Sequence, residues 1–186
     1  VTSSATPTTP AAAWQALDLP AVHGLLPHRP PFLFVDRAEI DVANGQSRTW
    51  HLFLAEEPYF EGHFPGAPIV PGVVLLECMA QAGRLLLNAQ AGGIHTGFLV
   101  GVDSAKFNQT VHPGDLLRIE ARLVRDTGDL ATGAFQSAIH SFKCAAYLGS
   151  SRCARAQINL YQARGATTAA TPAPAGAVHP LPLASL

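Results

Sequence analysis

Val73-Val74-Leu75-Leu76-Glu77-Cys78-Met79-Ala80-Gln81-Ala82-Gly83-Arg84-Leu85-Leu86-Leu87-Asn88-Ala89-Gln90 reads as one long helix. Val73, Val74, Leu75, Leu76, Met79, Leu85, Leu86 and Leu87 cover nearly its whole circumference. A helix that is apolar almost all round is a buried helix. The polar residues Glu77, Gln81, Arg84 and Asn88 follow at steps of four, three and four, which puts them on one narrow stripe. That stripe either faces water or an interface, or lines a cavity. Gly92-Gly93 ends the helix.

Around this helix the chain reads mostly as strand. Asp18 can cap a short helix with Pro20 in its first turn and Gly24 near its end. Pro27-His28-Arg29-Pro30-Pro31 cannot be helical. Phe32–Val42 is expected as a strand, Asn44-Gly45 as a turn and Gln46–Leu54 as the returning strand. Glu56–Gly72, with Pro58, Pro65, Pro68 and Pro71, is expected to be irregular. Beyond the helix, Phe98–Phe107 is expected as a strand and His112-Pro113-Gly114-Asp115 as a turn. Leu117, Ile119, Ala121 and Leu123 alternate with Arg118, Glu120 and Arg122, the pattern of a half-buried strand. Thr127-Gly128-Asp129 turns into Leu130–Leu148, and Gly149-Ser150 turns into a last alternating run, Ala154–Leu160. One buried helix with five or six mostly antiparallel strands is an α+β pattern, satisfied by a curved sheet wrapped around the helix.

Both ends of the chain are rich in Ala, Thr and Pro and lack a patterned apolar face. The expected organisation is a flexible tail over 1–17, one domain over 18–162, and a second flexible tail over 163–186. The net charge of -1 gives no bulk attraction for nucleic acid or an acidic membrane. No apolar run approaches the ~20 residues of a membrane span, and the N-terminus has no secretory pattern. A soluble, cytoplasmic protein is expected, with Cys78, Cys144 and Cys153 as reduced structural thiols. Charged residues make up only 13% of the chain, as expected where surface is hidden in an oligomer.

One constellation carries chemistry. His63 lies in Phe60-Glu61-Gly62-His63-Phe64-Pro65-Gly66, and Glu77 follows fourteen residues later in the second turn of the helix. A carboxylate among apolar neighbours is costly to ionise unless partnered, and so suits a general acid. Gln81, one turn on, could orient it. The chain has 8 histidines, so His63 stands out only by its setting between prolines and glycines. No metal-ligand spacing is present. Gly72 opens the helix, where amides lack intrahelical partners, and its N–H could polarise a carbonyl. A plain loop-to-helix junction explains Gly72 equally well. Base, acid and carbonyl donor together suit elimination beside a carbonyl, but do not select it over thioester hydrolysis.

Three runs carry a family resemblance. They are Leu26-Pro27-His28-Arg29-Pro30-Pro31-Phe32-Leu33-Phe34-Val35-Asp36-Arg37; Phe60 to Gln81, FEGHFPGAPIVPGVVLLECMAQ; and Gly101–Phe107 with Val111–Asp115. In this order they resemble the bacterial 3-hydroxyacyl-acyl-carrier-protein dehydratases, over roughly Asp18 to Gln162. The resemblance implies a hot-dog fold and dehydration of a 3-hydroxyacyl thioester to the trans-2-enoyl thioester, in fatty-acid or polyketide biosynthesis. It implies His63 and Glu77 as catalytic residues meeting across a dimer interface. Gly72, Gln81, Phe64, Pro71 and Val73 are the expected substrate-binding residues. No metal and no cofactor are expected, the substrate arriving on the phosphopantetheine arm of an acyl carrier protein. The resemblance implies a dimer as the minimal assembly, a homodimer or a heterodimer with a related dehydratase subunit, with higher oligomers open.

The chain also departs from the family. Ala67 stands where a basic residue often follows the GHFPG run, so one contact for an acidic carrier protein is missing or moved. Arg84, Lys106, Arg122 and Arg125 are candidate substitutes. Cys78 replaces a small alanine beside the glutamate. The alternatives are a hot-dog acyl thioesterase and a non-catalytic partner subunit of a dehydratase heterodimer.

Overall fold

A computed structural model describes residues 13–126 and 137–167. The chain enters through a short strand, β1 (Gln15–Leu17), and then helix α1 (Leu19–Leu25). Asp18 caps α1 as its sequence implies, its carboxylate accepting the Ala21 N–H at 3.0 Å. Strands β2 (Arg37–Asp41) and β3 (Gln46–Leu52) follow, turning at Gly45 with φ of 63°. A 3-10 turn at Pro58–Glu61 leads to helix α2 (Gly72–Gln90). Four strands complete the fold: β4 (His95–Phe107), β5 (Leu116–Asp126), β6 (Ser137–Leu148) and β7 (Ser151–Thr167). The expected Thr127-Gly128-Asp129 turn, most of the N-terminal tail and everything beyond Thr167 lie outside the described residues.

The strands form one sheet in the order β1-β2-β3-β5-β6-β7-β4, every neighbouring pair antiparallel. Period-two alternation decides its faces. Leu117, Ile119 and Ala121 of β5, Phe142, Cys144 and Ala146 of β6, and Ala154, Ala156, Ile158 and Leu160 of β7 point inward and are buried. They close on Leu75, Cys78, Met79, Ala82 and Leu86 of α2 in one apolar cluster. Each fully buried aliphatic side chain of this kind contributes about 1.5–3 kcal/mol. A second cluster joins α1, β2 and Leu85 on another face of α2. Burial on several sides at once explains why α2 is apolar nearly all round. All three cysteines are buried and free. No helix among the described residues is long and apolar enough to cross a membrane.

The structure redraws some expected boundaries. Phe32–Asp36 is not strand, because its polar backbone is bonded elsewhere: Phe34 N–H donates to Gln81 Oε1 at 2.8 Å and the Phe32 carbonyl accepts from Gln81 Nε2 at 2.9 Å. β7 runs past Gln162 to Thr167 because it keeps pairing with the start of β4, His95 opposite Thr167.

Candidate active site

His63 follows the 3-10 turn, its N–H donating to the Tyr59 carbonyl at 3.0 Å. The loop after it closes through Ile69. The Ile69 N–H donates to the His63 carbonyl at 3.0 Å, and the Ile69 carbonyl lies 3.0 Å from His63 Nδ1. A carbonyl only accepts, so Nδ1 must carry the proton. In the neutral ring Nε2 is then a bare lone pair, and it has no hydrogen-bond partner among the described residues. Phe64 stacks on the His63 ring at 4.2 Å and is itself exposed.

Glu77 sits where α2 emerges from the core. One oxygen, Oε1, accepts from Gln81 Nε2 at 2.9 Å. Gln81 is in turn held by the Phe32 and Phe34 backbone, so the carboxylate is oriented by a side chain that cannot turn away. His28 Nε2 stands 3.5 Å from the same oxygen. Burial pushes the His28 pKa down; Glu77 opposes this, and Arg84 and Arg29 add to it. His28 was absent from the expected site. The signal for it was the proline-flanked PHRPP run, which had to lie somewhere, and the stripe residue Glu77, which needed a partner. Within one chain no ion pair joins Glu77 to His63 among the described residues.

The polar stripe of α2 is a seam rather than the wall of a cavity. Beyond Gln81, Arg84 donates to the Tyr161 carbonyl, and Asn88 donates to the Leu25 carbonyl at 2.7 Å. Arg84 is only 4% exposed, and burial lowers its pKa to about 10. It cannot reach a docking partner. The long polar side chains thus stitch α2 to α1, to the PHRPP segment and to β7.

Gly72 opens α2 behind Pro71, which provides no side-chain cap. Its N–H has no partner among the described residues. Its lack of a side chain is used by the protein itself: a Cβ there would stand 3.2 Å from the Phe107 ring of β4. Beside it Val73 is 72% exposed, and Phe107, Phe98, Val100 and Val102 of β4 are also exposed. An apolar surface therefore runs from the start of α2 along β4, the strand at one edge of the sheet.

Comparison with known proteins agrees with this architecture. The family described as ApeI-like, ApeI dehydratase, matches residues 42–144. A 3-hydroxyacyl-[acyl-carrier-protein] dehydratase FabZ of Protochlamydia amoebophila is 47% identical over 107 residues, covering 57% of this chain and 70% of the relative. The FabZ of Oceanobacillus iheyensis is 38% identical over 119 residues, covering 63% of this chain and 84% of its own length. Among solved structures, the dehydratase heterocomplex ApeI:P of Xenorhabdus doucetiae superposes with a TM-score of 0.60 at 18% identity, covering 76% of this chain and 90% of that one. At that identity the likeness speaks for the fold, the hot-dog arrangement of a curved sheet around a central helix. With the sequence relatives carrying the activity, the chain belongs to the 3-hydroxyacyl-acyl-carrier-protein dehydratase family of hot-dog enzymes.

Proposed function

We propose that this dehydratase acts on a 3-hydroxyacyl thioester carried by an acyl carrier protein, that the product is the trans-2-enoyl thioester, and that His63 and Glu77 carry the reaction across a subunit boundary. The observation that carries the assignment is the Ile69 carbonyl at His63 Nδ1, which leaves Nε2 as a free base. Nε2 takes the C2 proton of the substrate. The developing enolate charge falls on the thioester oxygen, where the Gly72 N–H at the start of α2 is available as donor. The C3–O bond breaks with its electron pair, and the carboxyl of Glu77, held by Gln81, protonates the departing hydroxyl to water. Return of the proton from His63 to Glu77 restores the pair. Phe64, Pro71 and Val73 border the acyl chain. The chemistry is acid–base throughout and calls on no cofactor beyond the phosphopantetheine arm that brings the substrate.

Two features support a shared site. Among the described residues no ion pair or hydrogen bond joins His63 to Glu77 within one chain, and β4 is the last strand at one edge of the sheet, with an apolar surface beside it. Open edge strands invite pairing with another chain. A second copy, or a related subunit, joined along β4 would cover Phe98, Val100 and Val102.

The test is product analysis with defined 3-hydroxyacyl carrier-protein substrates of several chain lengths. The expected product is the enoyl thioester, lighter by one water. His63→Ala and Glu77→Gln are each expected to lower kcat by about 100-fold or more. Release of free thiol in place of enoyl product would instead establish hydrolysis.

A further inference from the structure

The Glu77 carboxyl is held by one of its two oxygens. Oε1 accepts from Gln81 Nε2 at 2.9 Å, and His28 Nε2 stands 3.5 Å from the same atom. Oε2 has no hydrogen-bond or ion-pair partner among the described residues. His28 is fixed in place by the residue after it. Arg29 donates to the carbonyls of Leu26 at 2.8 Å, His28 at 2.6 Å and His23 at 3.2 Å, which ties the PHRPP run to the end of α1. His28 Nδ1 is buried without a partner, so among the described residues the ring meets a polar group only through Nε2.

The charged groups that face the ring are Glu77 and Arg84 of α2 and its own neighbour Arg29. Burial disfavours charging it, Glu77 opposes this, and the two guanidiniums add to it. A neutral imidazole carries a single proton, and only Nε2 has an acceptor for it. Two N–H groups then converge on Oε1, one from Gln81 and one from His28. A carboxylic acid with two donors on one oxygen keeps its own proton on the other. Such donors also bind an ionised carboxylate more strongly than the neutral acid, so they strengthen as the proton leaves. A donor that stands slightly long before the reaction commonly closes as charge develops.

We propose that His28 is a positioning residue for the acid: as a neutral Nε2–H donor on Oε1, it keeps the Glu77 proton on Oε2, towards the departing hydroxyl, and steadies the carboxylate left behind. No bond to His28 forms or breaks; the proton passes from Glu77 Oε2 to the leaving oxygen. The inference rests on Glu77 as the acid of the proposed dehydration.

The experiment measures kcat and KM for enoyl formation across pH in the unmodified enzyme and in His28→Leu, His28→Ala, His28→Gln and Glu77→Gln, each checked for folding by its Tm. Leucine and alanine are two independent ways to remove the donor, and glutamine returns an N–H. The donor-free variants are expected to lose about tenfold in kcat with little change in KM. A donor on the carboxylate lowers the Glu77 pKa, so its loss should move the alkaline limb of the kcat profile to higher pH. His28→Gln should recover most of the rate and bring the limb back. An unmoved alkaline limb in a folded donor-free variant overturns the inference whatever its kcat, and so does a His28→Gln as slow as His28→Leu. Both results leave the dehydratase reading standing when the unmodified enzyme makes the enoyl product and Glu77→Gln does not. An unmodified enzyme that makes no enoyl product, or a Glu77→Gln that makes it at the full rate, removes the acid role of Glu77 and the inference together.

Discussion

The carbonyl of Ile69 holds the proton on His63 Nδ1 and leaves the lone pair on Nε2, and Gln81 orients the Glu77 carboxylate. Gln81 uses both of its N–H donors and its carbonyl, so its replacement has two effects. Gln81→Leu frees Glu77 and leaves the Phe34 N–H and Phe32 carbonyl unpaired. A fall in kcat of about tenfold is expected, together with a stability loss of about 1–3 kcal/mol in urea unfolding. A variant that unfolds earlier but keeps its kcat would show that Gln81 holds the backbone alone. His51 gives a second prediction. It is buried between Phe34 and Phe53, with Nδ1 3.2 Å from Asp36 and Nε2 3.6 Å from Glu57. Burial alone would lower its pKa, but the Asp36 and Glu57 carboxylates outweigh it and raise the value to about 9. A group whose pKa rises on folding stabilises fully below its unfolded value, near 6.5, and loses that contribution as pH climbs through the folded value. Stability should therefore fall by on the order of 3 kcal/mol between about pH 6.5 and pH 9.5. In His51→Gln that part of the decline should vanish from thermal melts taken across the same pH range.

At the scale of elements, α2 is held less by its own propensity than by its neighbours. Leu75, Met79 and Leu86 pack into the sheet, and Arg84 and Asn88 tie the helix to β7 and α1. The β4 glycine Gly97 makes the Arg84 contact possible, since a Cβ there would stand 2.2 Å from the Tyr161 carbonyl and 2.1 Å from the Arg84 guanidinium. Gly97→Ala is expected to push β4 from β7 and strand a buried cation. A loss of about 3 kcal/mol or more follows, visible as a lower Tm. Retention of the parent Tm would mean that β4 shifts without disturbing Arg84. The helix itself was legible because its apolar residues had no polar face to turn outward. The fate of its polar stripe was not. Spacing shows that Glu77, Gln81, Arg84 and Asn88 share a face, but a shared face can line a cavity or a seam. Here the seam wins because the irregular Phe32–Asp36 segment and the ends of neighbouring elements need partners for their backbone groups.

At the scale of the molecule, the sheet among the described residues ends in short β1 at one edge and in long β4, which carries exposed apolar side chains, at the other. Burying Phe98, 58% exposed, together with Val100 and Val102, is worth several kcal/mol to an assembly. Phe98→Glu with Val100→Lys should shift the protein to monomers in sedimentation velocity and remove dehydratase activity in step. Full activity in a proven monomer would place the site within a single chain and refute the shared arrangement.

The amino-acid sequence by itself determined the α+β class, the buried helix and the family, because apolar periodicity, turn glycines and the run from Phe60 to Gln81 are local patterns. It also raised His63 and Glu77 as the candidate site residues, whose meeting across a subunit boundary is a proposal. Only the tertiary structure decided that Ile69 sets the His63 tautomer, that His28 stands beside Glu77, and that cations from five separate strands meet in one groove. Those relations join residues far apart in the chain, and their distances follow from strand order and register, which no single segment encodes.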